Sequence, residues 1–255
     1  MQRLKVFIIR MRNEKILSRW LYITAAAVFA MVVIGAITRL TESGLSMVEW
    51  KPLIGAIPPL NQAQWDHVFD LYKQTPEFQK KNFWMDLGDF QKIFFWEWLH
   101  RLWGRTIGIV YALPLLWFFI RKKIPKGYGA KLLGILALGG LQGVIGWWMV
   151  ASGLVDRPSV SHFRLAAHLL LALLIFSAMW WVALSLNDGK PKNKPLPRIV
   201  LCLPLLLLTT IAWGAFTAGL DAGMIYNSFP LMYGHFMPPD APDILHNHGW
   251  VQFTH

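Results

Sequence analysis

Five apolar runs, each long enough to cross the hydrocarbon core of a bilayer as a helix, constrain this chain more than any other feature of its sequence. One crossing needs about 20 predominantly apolar residues. The runs cover residues 20–38, 93–120, 132–150, 165–186 and 199–218, and a sixth begins at 250. The first is too long for a signal-peptide core and lacks a small-residue cleavage site, so it is interpreted as a retained span. We therefore predict an all-α, polytopic transmembrane helix bundle.

The composition agrees with a lipid-exposed bundle and excludes disorder, a disulfide scaffold and a conventional cytosolic enzyme. Only 15% of the residues are charged and 55% are hydrophobic, whereas an ordinary soluble domain is about a quarter charged. The net charge of +11 comes from short basic clusters beside the apolar runs. Membrane lipid headgroups are therefore the expected partner, and nucleic acid is not. The single cysteine, Cys202, excludes an internal disulfide.

Lys and Arg are distributed unevenly between the connecting segments. The N-terminal segment 1–19, the connection 121–131 and the linker 187–198 are basic, whereas residues 219–249 hold three aspartates and no Lys or Arg. Basic loops stay on the cytoplasmic side of a membrane. The sequence therefore predicts a cytoplasmic N-terminal segment and a cytoplasmic linker, with the long loop 40–92 on the outer side.

The segment that follows the first span recurs after the fifth. Two sets of residues match at one fixed offset: Gly35, Ala36, Thr38 and Gly44, then Gly214, Ala215, Thr217 and Gly223. The hexapeptides that end at His100 and His255 also align. An ordered set of matches indicates a duplicated unit of four helices.

This repeat divides the chain unequally. Residues 20–186 are expected to form a complete first four-helix unit, and residues 199–255 an incomplete second unit. An intact protein of this plan would have eight helices, so we expect the chain to be a truncated product or a partial record. The alternative is that residues 250–255 are a natural outer tail.

One face of the second span carries polar side chains at membrane depth. At about 100° per helical residue, six residues share that face: Glu97, His100, Arg101, Gly104, Arg105 and Gly108. Charged groups at this depth usually face a cavity or a partner, and glycines would let a flat ring lie against the helix. The alternative is that the helix begins at the outer interface and these groups are hydrated.

A second polar pair lies in the fourth span, where His168 follows Arg164 by about one turn. In the predicted orientation His100 and His168 both lie near the outer ends of inward-running helices. Two neutral imidazoles with arginines nearby suit a six-coordinate haem whose propionates meet guanidinium groups. A zinc site is disfavoured because four ligands are lacking at that depth. The alternative for His168 is a core histidine hydrogen-bonded to a neighbouring helix.

The remaining glycines and histidines receive simpler interpretations. Gly139, Gly143 and Gly146 in the third span predict close helix packing. The other histidines lie in outer loops or at their edges and are expected to be solvated: His67, His162, His235, His246 and His248.

Four sequence stretches resemble the haem A synthase family, in the form found in α-proteobacteria and mitochondria. They are GAITRLTESGLSMVEWKPLIGAIPPL at 35–60, EWLHR at 97–101, LQGVIGWWMVASGL at 141–154 and RLAAHLLLAL at 164–173. The resemblance implies an eight-helix membrane protein of two similar halves, each with a histidine pair around a haem. It also implies oxidation of the C8 methyl group of haem O to a formyl group, which gives haem A for cytochrome oxidase.

The resemblance also implies roles for particular residues. His100 and His168 would ligate the iron of haem O, the substrate, in the first half, and His255 would ligate a haem b cofactor in the second. Glu97 would be catalytic, as a proton shuttle or a charge stabiliser. The propionates would be held by Arg101, and by Arg105 and Arg164. The fourth family histidine is absent, as is the cysteine pair that some members carry in the first outer loop.

The implied setting is a bacterial inner membrane, with the N-terminus cytoplasmic and the haem sites toward the periplasm. Haem O synthase is the implied partner, while the electron donor is not indicated and a homo-oligomer is left open.

Two other functions use paired histidines equally well: a non-catalytic di-haem electron carrier and a haem-insertion chaperone. Glu97 distinguishes the enzyme from the electron carrier, because an electron carrier has no need of a carboxylate near a ring methyl.

Overall fold

The computed structural model describes residues 2–50, 54–155, 157–187, 198–228 and 230–255, and over those residues it contains helices and no strand. Seven α-helices are α1 Gln2–Leu40, α2 Gln62–Lys73, α3 Leu87–Ile120, α4 Gly129–Ala151, α5 His162–Asn187, α6 Arg198–Gly219 and α7 His248–Thr254. Three single turns are Ile54–Ala56, Phe78–Asn82 and Ala222–Met224. Most of the linker predicted at 187–198 lies outside the described residues.

Five of these helices are long and apolar enough to cross a membrane: Met11–Leu40, Leu87–Ile120, Gly129–Ala151, His162–Asn187 and Cys202–Gly219. They coincide with the five apolar runs. The prediction of a polytopic, all-helical membrane bundle is therefore confirmed. The N-terminal basic segment is helical and forms one helix with the first span, since α1 begins at Gln2. The loop 40–92 contains the helix α2.

By its internal contacts the chain divides into two compact units, and this division differs from that of the two repeats in the sequence. The first consists of Met1–Phe69, Met85–Val144 and Leu171–Asn193, and the second of Asp70–Trp84, Ile145–Leu170 and Lys194–His255. The core of the first unit is apolar and draws on α1, α3, α4 and α5. In α1 its members are Leu17, Trp20, Leu21, Ala25 and Val28. This spacing of three or four residues places all five on one helix face, which is why α1 packs as it does.

Trp20 is the central side chain of that core. Its ring lies 4.8 Å from the ring of Tyr111 and 5.4 Å from that of Phe118, centroid to centroid. Its indole N–H donates to the carbonyl of Val110 at 2.9 Å. A buried indole needs such a partner, because no water is present at this depth to replace it.

Other polar side chains of the first unit tie helices together in the same way. Ser18 Oγ donates to the carbonyl of Ala183 at 2.9 Å, and the Tyr111 hydroxyl donates to that of Leu132 at 2.9 Å. Trp103 Nε1 donates to the carbonyl of Ala27 at 2.9 Å, which joins α3 to α1 near the middle of both helices. These bonds fix the relative register of helices whose apolar faces alone would permit sliding.

In the second unit, the short helix α7 is attached to the turn that follows α6. The side chain of Asn247 accepts from the Trp250 N–H and caps α7. Gln252 exchanges two hydrogen bonds with the backbone of Tyr226: its Oε1 accepts from the N–H at 3.1 Å and its Nε2 donates to the carbonyl at 3.0 Å. This pair of bonds holds α7 against the turn.

We expect Trp20→Ala to lower the free energy of unfolding by about 3–5 kcal/mol, the usual cost of truncating a buried tryptophan. The measurement is denaturation of the purified protein in detergent, followed by its helical circular dichroism. Trp181→Ala is the matched control, since Trp181 is 70% exposed in the same unit, and we expect it to change stability by less than about 1 kcal/mol. Equal effects in the two variants would contradict the assignment of Trp20 to the core.

Candidate functional site

Glu97 is a buried carboxylate near the start of α3, with only 3% of its surface exposed. Its Oε2 accepts from Ser46 Oγ at 2.7 Å and from the Met47 N–H at 2.8 Å. Its Oε1 pairs with Arg101 one helical turn away. A carboxylate is an acceptor only, so three donors and no acceptor suit it. The loop after α1 therefore closes directly over Glu97.

Arg101 pairs with Glu97 and also contacts the loop after α1. Its Nη2 also donates to the carbonyl of Met47 at 3.0 Å, and its guanidinium lies 5.4 Å from the ring centroid of Trp50. Glu97 and Arg101 together thus hold both the N–H and the carbonyl of Met47. Any propionate bound by Arg101 would share a guanidinium that already has these partners.

The same backbone anchor recurs in the second unit with different chemistry. Gln252 precedes His255 by three residues, as Glu97 precedes His100. Its amide accepts from the Tyr226 N–H and donates to the Tyr226 carbonyl. One neutral side chain therefore makes the two backbone contacts that Glu97 and Arg101 share between them at Met47.

Further local geometry repeats at the offset seen in the sequence. The acidic residues Glu42 and Asp221 both have left-handed backbones, with φ of 50° and 53°. Thr38 and Thr217 each donate from Oγ1 to the carbonyl four residues earlier at 2.9 Å. The ends of α1 and α6 are thus built in the same way, including the strained residue that turns the chain.

His100 on α3 lies against a glycine of α1. A Cβ added at Gly35 would be 3.1 Å from His100 Cε1 and 3.5 Å from Nδ1. Ordinary carbon–carbon contacts are about 3.5–4.0 Å. The ring therefore occupies space that only a residue without a side chain leaves open.

His168 and His255 have the same kind of neighbour. A Cβ at Gly146 would be 3.0 Å from His168 Cε1, and a Cβ at Gly214 would be 3.0 Å from His255 Cε1. His100 and His168 are half-buried, whereas His255 is exposed. Each predicted iron ligand thus lies with its imidazole edge on a glycine of another helix.

The interpretation of the third-span glycines needs correction. A Cβ at Gly139 or Gly143 would meet no described atom within 4 Å, so the prediction that these two residues pack closely against a neighbouring helix is wrong. Gly146 does make a close contact, but its partner is the imidazole of His168 rather than a helix backbone. The spacing of small residues alone does not separate these cases.

The prediction that His162 is solvated is also wrong. His162 is only 6% exposed, and its Nε2 lies 2.9 Å from the carbonyl oxygen of Leu245. Its backbone lies so close to Gly219 that a Cβ there would be 2.8 Å from His162 Cα. The other four predicted solvated histidines are exposed: His67, His235, His246 and His248.

The two remaining arginines lie in different units. Arg105 is half-buried on α3, one turn after Arg101, and belongs to the first unit. Arg164 belongs to the second, where its Nη1 donates to the carbonyl of Trp148 at 2.7 Å and its guanidinium lies 4.4 Å from the Trp148 ring centroid. Arg164 therefore caps the end of α4.

The donor set suits a porphyrin iron better than a bare metal ion. Among the described residues no three His, Cys, Asp or Glu side chains form a cluster of ligands. The candidates are instead single imidazoles, each with one edge against a glycine. A haem supplies four ligands to its own iron and needs only axial imidazoles from the protein, so these residues fit it.

Comparison with known proteins identifies the family of this chain. The chain matches the model of the COX15-CtaA family, described as cytochrome oxidase assembly protein, over residues 18–255. It is 50% identical to a heme A synthase of Rhodospirillum centenum over 94% of this chain and 67% of that protein. A heme A synthase of Nitrosospira multiformis is 47% identical, over 95% and 72%. One of Mesorhizobium japonicum is 50% identical, over 90% and 64%.

The chain thus spans about two thirds of the length of these relatives, and no solved structure matches it. The resemblance to haem A synthases seen in the sequence is confirmed by these identities. Because the family model covers nearly the whole chain, the protein belongs to the COX15-CtaA family of cytochrome oxidase assembly proteins.

Proposed function

We propose that this protein is a haem A synthase, an oxidoreductase that converts the C8 methyl group of haem O into a formyl group and so gives haem A for cytochrome oxidase. Membership of the COX15-CtaA family and the relatives named heme A synthase support this reaction. The observation that links this reaction to particular residues is the burial of Glu97, which lies three residues before His100. Ser46 and Met47 hold its carboxylate.

Glu97 is the proposed catalytic residue. Oxidation of a methyl group releases protons, and a positioned carboxylate is a common acceptor of protons in catalysis. Ser46 donates to Glu97 Oε2, and a hydroxyl can also accept a hydrogen bond, so a proton could leave or reach Oε2 through Ser46. The charge of Arg101 balances the carboxylate between such transfers. The same carboxylate would also stabilise positive character at the carbon being oxidised.

The comparison of Glu97 with Gln252 supports oxidation in the first half alone. Gln252 occupies the corresponding position before His255 and makes corresponding backbone contacts, but an amide does not take up a proton at neutral pH. We therefore assign haem O to His100 and His168. A haem b ligated by His255 is the proposed resident cofactor, and when bound it supplies an electron-transfer centre.

Propionate binding is assigned to Arg101, Arg105 and Arg164. Arginine matches a carboxylate with several fixed donors, and all three side chains lie within two turns of a proposed iron ligand along their helices.

Haem O synthase is the proposed supplier of substrate. Haem O is strongly apolar, so transfer between two membrane proteins avoids exposing it to water.

The protein is a multi-pass membrane protein, and the proposed setting is the bacterial inner membrane with a cytoplasmic N-terminus. The basic connections support this orientation, because Lys and Arg gather in alternate connecting segments. Glu97 and His100 near the start of α3 would then face the periplasmic side.

We expect Glu97→Gln to keep haem bound and to reduce formation of formyl haem by at least about 100-fold, the lower range for loss of a general acid or base. The variant should fold, because glutamine makes the matching backbone contact at Gln252. The measurement is chromatography of haems extracted from cells that also express haem O synthase. Glu77→Gln is the matched control, since Glu77 is another buried carboxylate, bonded to Tyr72.

Two outcomes would contradict the proposal. Full activity of Glu97→Gln would remove the catalytic role from Glu97. Bound haem without any formyl product in the unsubstituted protein, in the presence of a reductant, would instead favour an electron carrier or a haem chaperone.

We expect His168→Ala to abolish the low-spin haem absorbance of the first half, because an iron that loses one axial imidazole becomes five-coordinate. The measurement is the optical spectrum of the purified, reduced protein with its haem content. His67→Ala, at an exposed position on α2, should leave the spectrum unchanged. An unaltered spectrum in His168→Ala would return His168 to the role of a core histidine.

The orientation is tested by cysteine labelling. In a Cys202→Ser background, Asn61→Cys should react with a membrane-impermeant maleimide in intact spheroplasts, because loop 40–92 is assigned to the periplasm. Lys126→Cys should react only after lysis. The reverse pattern of labelling would overturn the orientation.

A further inference from the structure

Each of three glycines lies against the imidazole ring of one candidate iron ligand. Gly35 lies against His100, Gly146 against His168, and Gly214 against His255. In every case the nearest ring atom is Cε1, at 3.0 or 3.1 Å from the position of a glycine Cβ. A methyl group at these positions would push the imidazole ring away by a few tenths of an ångström.

The contact with an imidazole edge is not shared by the other closely packed helical glycines, since a Cβ at Gly219 would meet His162 Cβ and Cα and a Cβ at Gly249 would meet the Tyr226 ring. A Cβ at Gly108, Gly139, Gly140 or Gly143 would meet no described atom within 4 Å. Glycine inside a helix costs about 1 kcal/mol compared with alanine, and the described surroundings of those four glycines give no reason for that cost. At Gly35, Gly146 and Gly214 the contact with an imidazole supplies that reason.

The contact also distinguishes the two nitrogens of the imidazole. In both His100 and His168 the ring edge formed by Cε1 and Nδ1 faces the glycine, with Nδ1 at 3.5 and 3.4 Å from the Cβ position. Nε2 is the more distant nitrogen, at 3.8 Å in His168 and beyond 4 Å in His100. In these two histidines Nε2 is therefore the nitrogen directed away from the glycine, whereas in His255 Nε2 lies 3.4 Å and Nδ1 3.7 Å from the Cβ position at Gly214.

We propose that Gly35, Gly146 and Gly214 are positioning residues that set the imidazole planes of the iron ligands, and that Gly35 and Gly146 also present Nε2 of their histidines to the metal. The proposal rests on the proposed function, since it takes these histidines as axial ligands. Replacing a partner that orients a metal-ligating histidine typically lowers metal affinity by about 10- to 100-fold. Here the partner is a helix surface without a side chain, against which the ring edge rests.

The test is Gly146→Ala, with Gly143→Ala on the same helix as the matched control. The methyl group at position 146 would force the His168 ring to move by a few tenths of an ångström. We expect haem affinity to fall about 10-fold, with a changed low-spin electron paramagnetic resonance signal and new binding of carbon monoxide to the reduced haem. Gly143→Ala should change none of these, because its methyl group meets open space.

A purely structural role would give a different result. If Gly146 only allows helices to approach, Gly146→Ala would lower thermal stability but leave the resonance signal and carbon monoxide binding of the remaining haem unchanged, and this would overturn the proposal. Equal spectral changes in Gly146→Ala and Gly143→Ala would overturn it too. If Gly146→Ala does not accumulate, Gly35→Ala provides the same test at His100.

Failure of this proposal is distinguishable from failure of the proposed function. Loss of low-spin haem in His168→Ala together with an unchanged spectrum in Gly146→Ala would remove the role of the glycine and keep the ligand. Retention of low-spin haem in both variants would remove the ligand assignment itself. None of these measurements depends on formation of formyl haem.

Discussion

The buried ion pair between Glu97 and Arg101 is the interaction on which the contact between α3 and the loop after α1 depends. Taking two charges out of water is costly, and their attraction compensates only when further hydrogen bonds complete the geometry. Ser46 and Met47 supply those bonds from the loop after α1. Departure of the loop from α3 would break three hydrogen bonds to this ion pair, so the loop and the ion pair form one structural element.

The second unit reaches a similar backbone arrangement without any charge. Gln252 binds both polar groups of Tyr226 by itself, and the left-handed Asp221 turns the chain as Glu42 does after α1. The duplicated framework is thus independent of the carboxylate. The carboxylate of the first unit differs in that it can take up a proton, and this difference is the reason why we propose that Glu97 serves the oxidation.

The sequence predicted the parts of the structure that follow from periodicity and hydropathy. The five spans and the shared helix face of Glu97 and Arg101 depend on spacing within one chain segment. The correspondence of Gly35 with Gly214 depends on the same spacing in two segments. The closure of Ser46 and Met47 over Glu97 was not predicted, because it joins residues about fifty positions apart through a backbone N–H that no side-chain pattern reports.

Burial was predicted less well than helix position for the same reason. His162 begins α5 and looks like a loop residue, but the carbonyl of Leu245 and the close approach of Gly219 enclose it. Gly143 and Gly146 are equivalent by sequence spacing, yet only Gly146 meets an imidazole. Contacts between distant elements decide both cases, and local composition carries no signal for them.

The Gln252 anchor has a consequence for how the two halves of such a protein could diverge. Codons for glutamate and glutamine differ by a single base, and either residue can accept the backbone N–H that attaches the loop. A duplicated ancestor could therefore gain or lose the carboxylate of one repeat by a single mutation and keep the backbone contact that attaches the loop. One repeat could thus specialise while the fold of the other stayed unchanged.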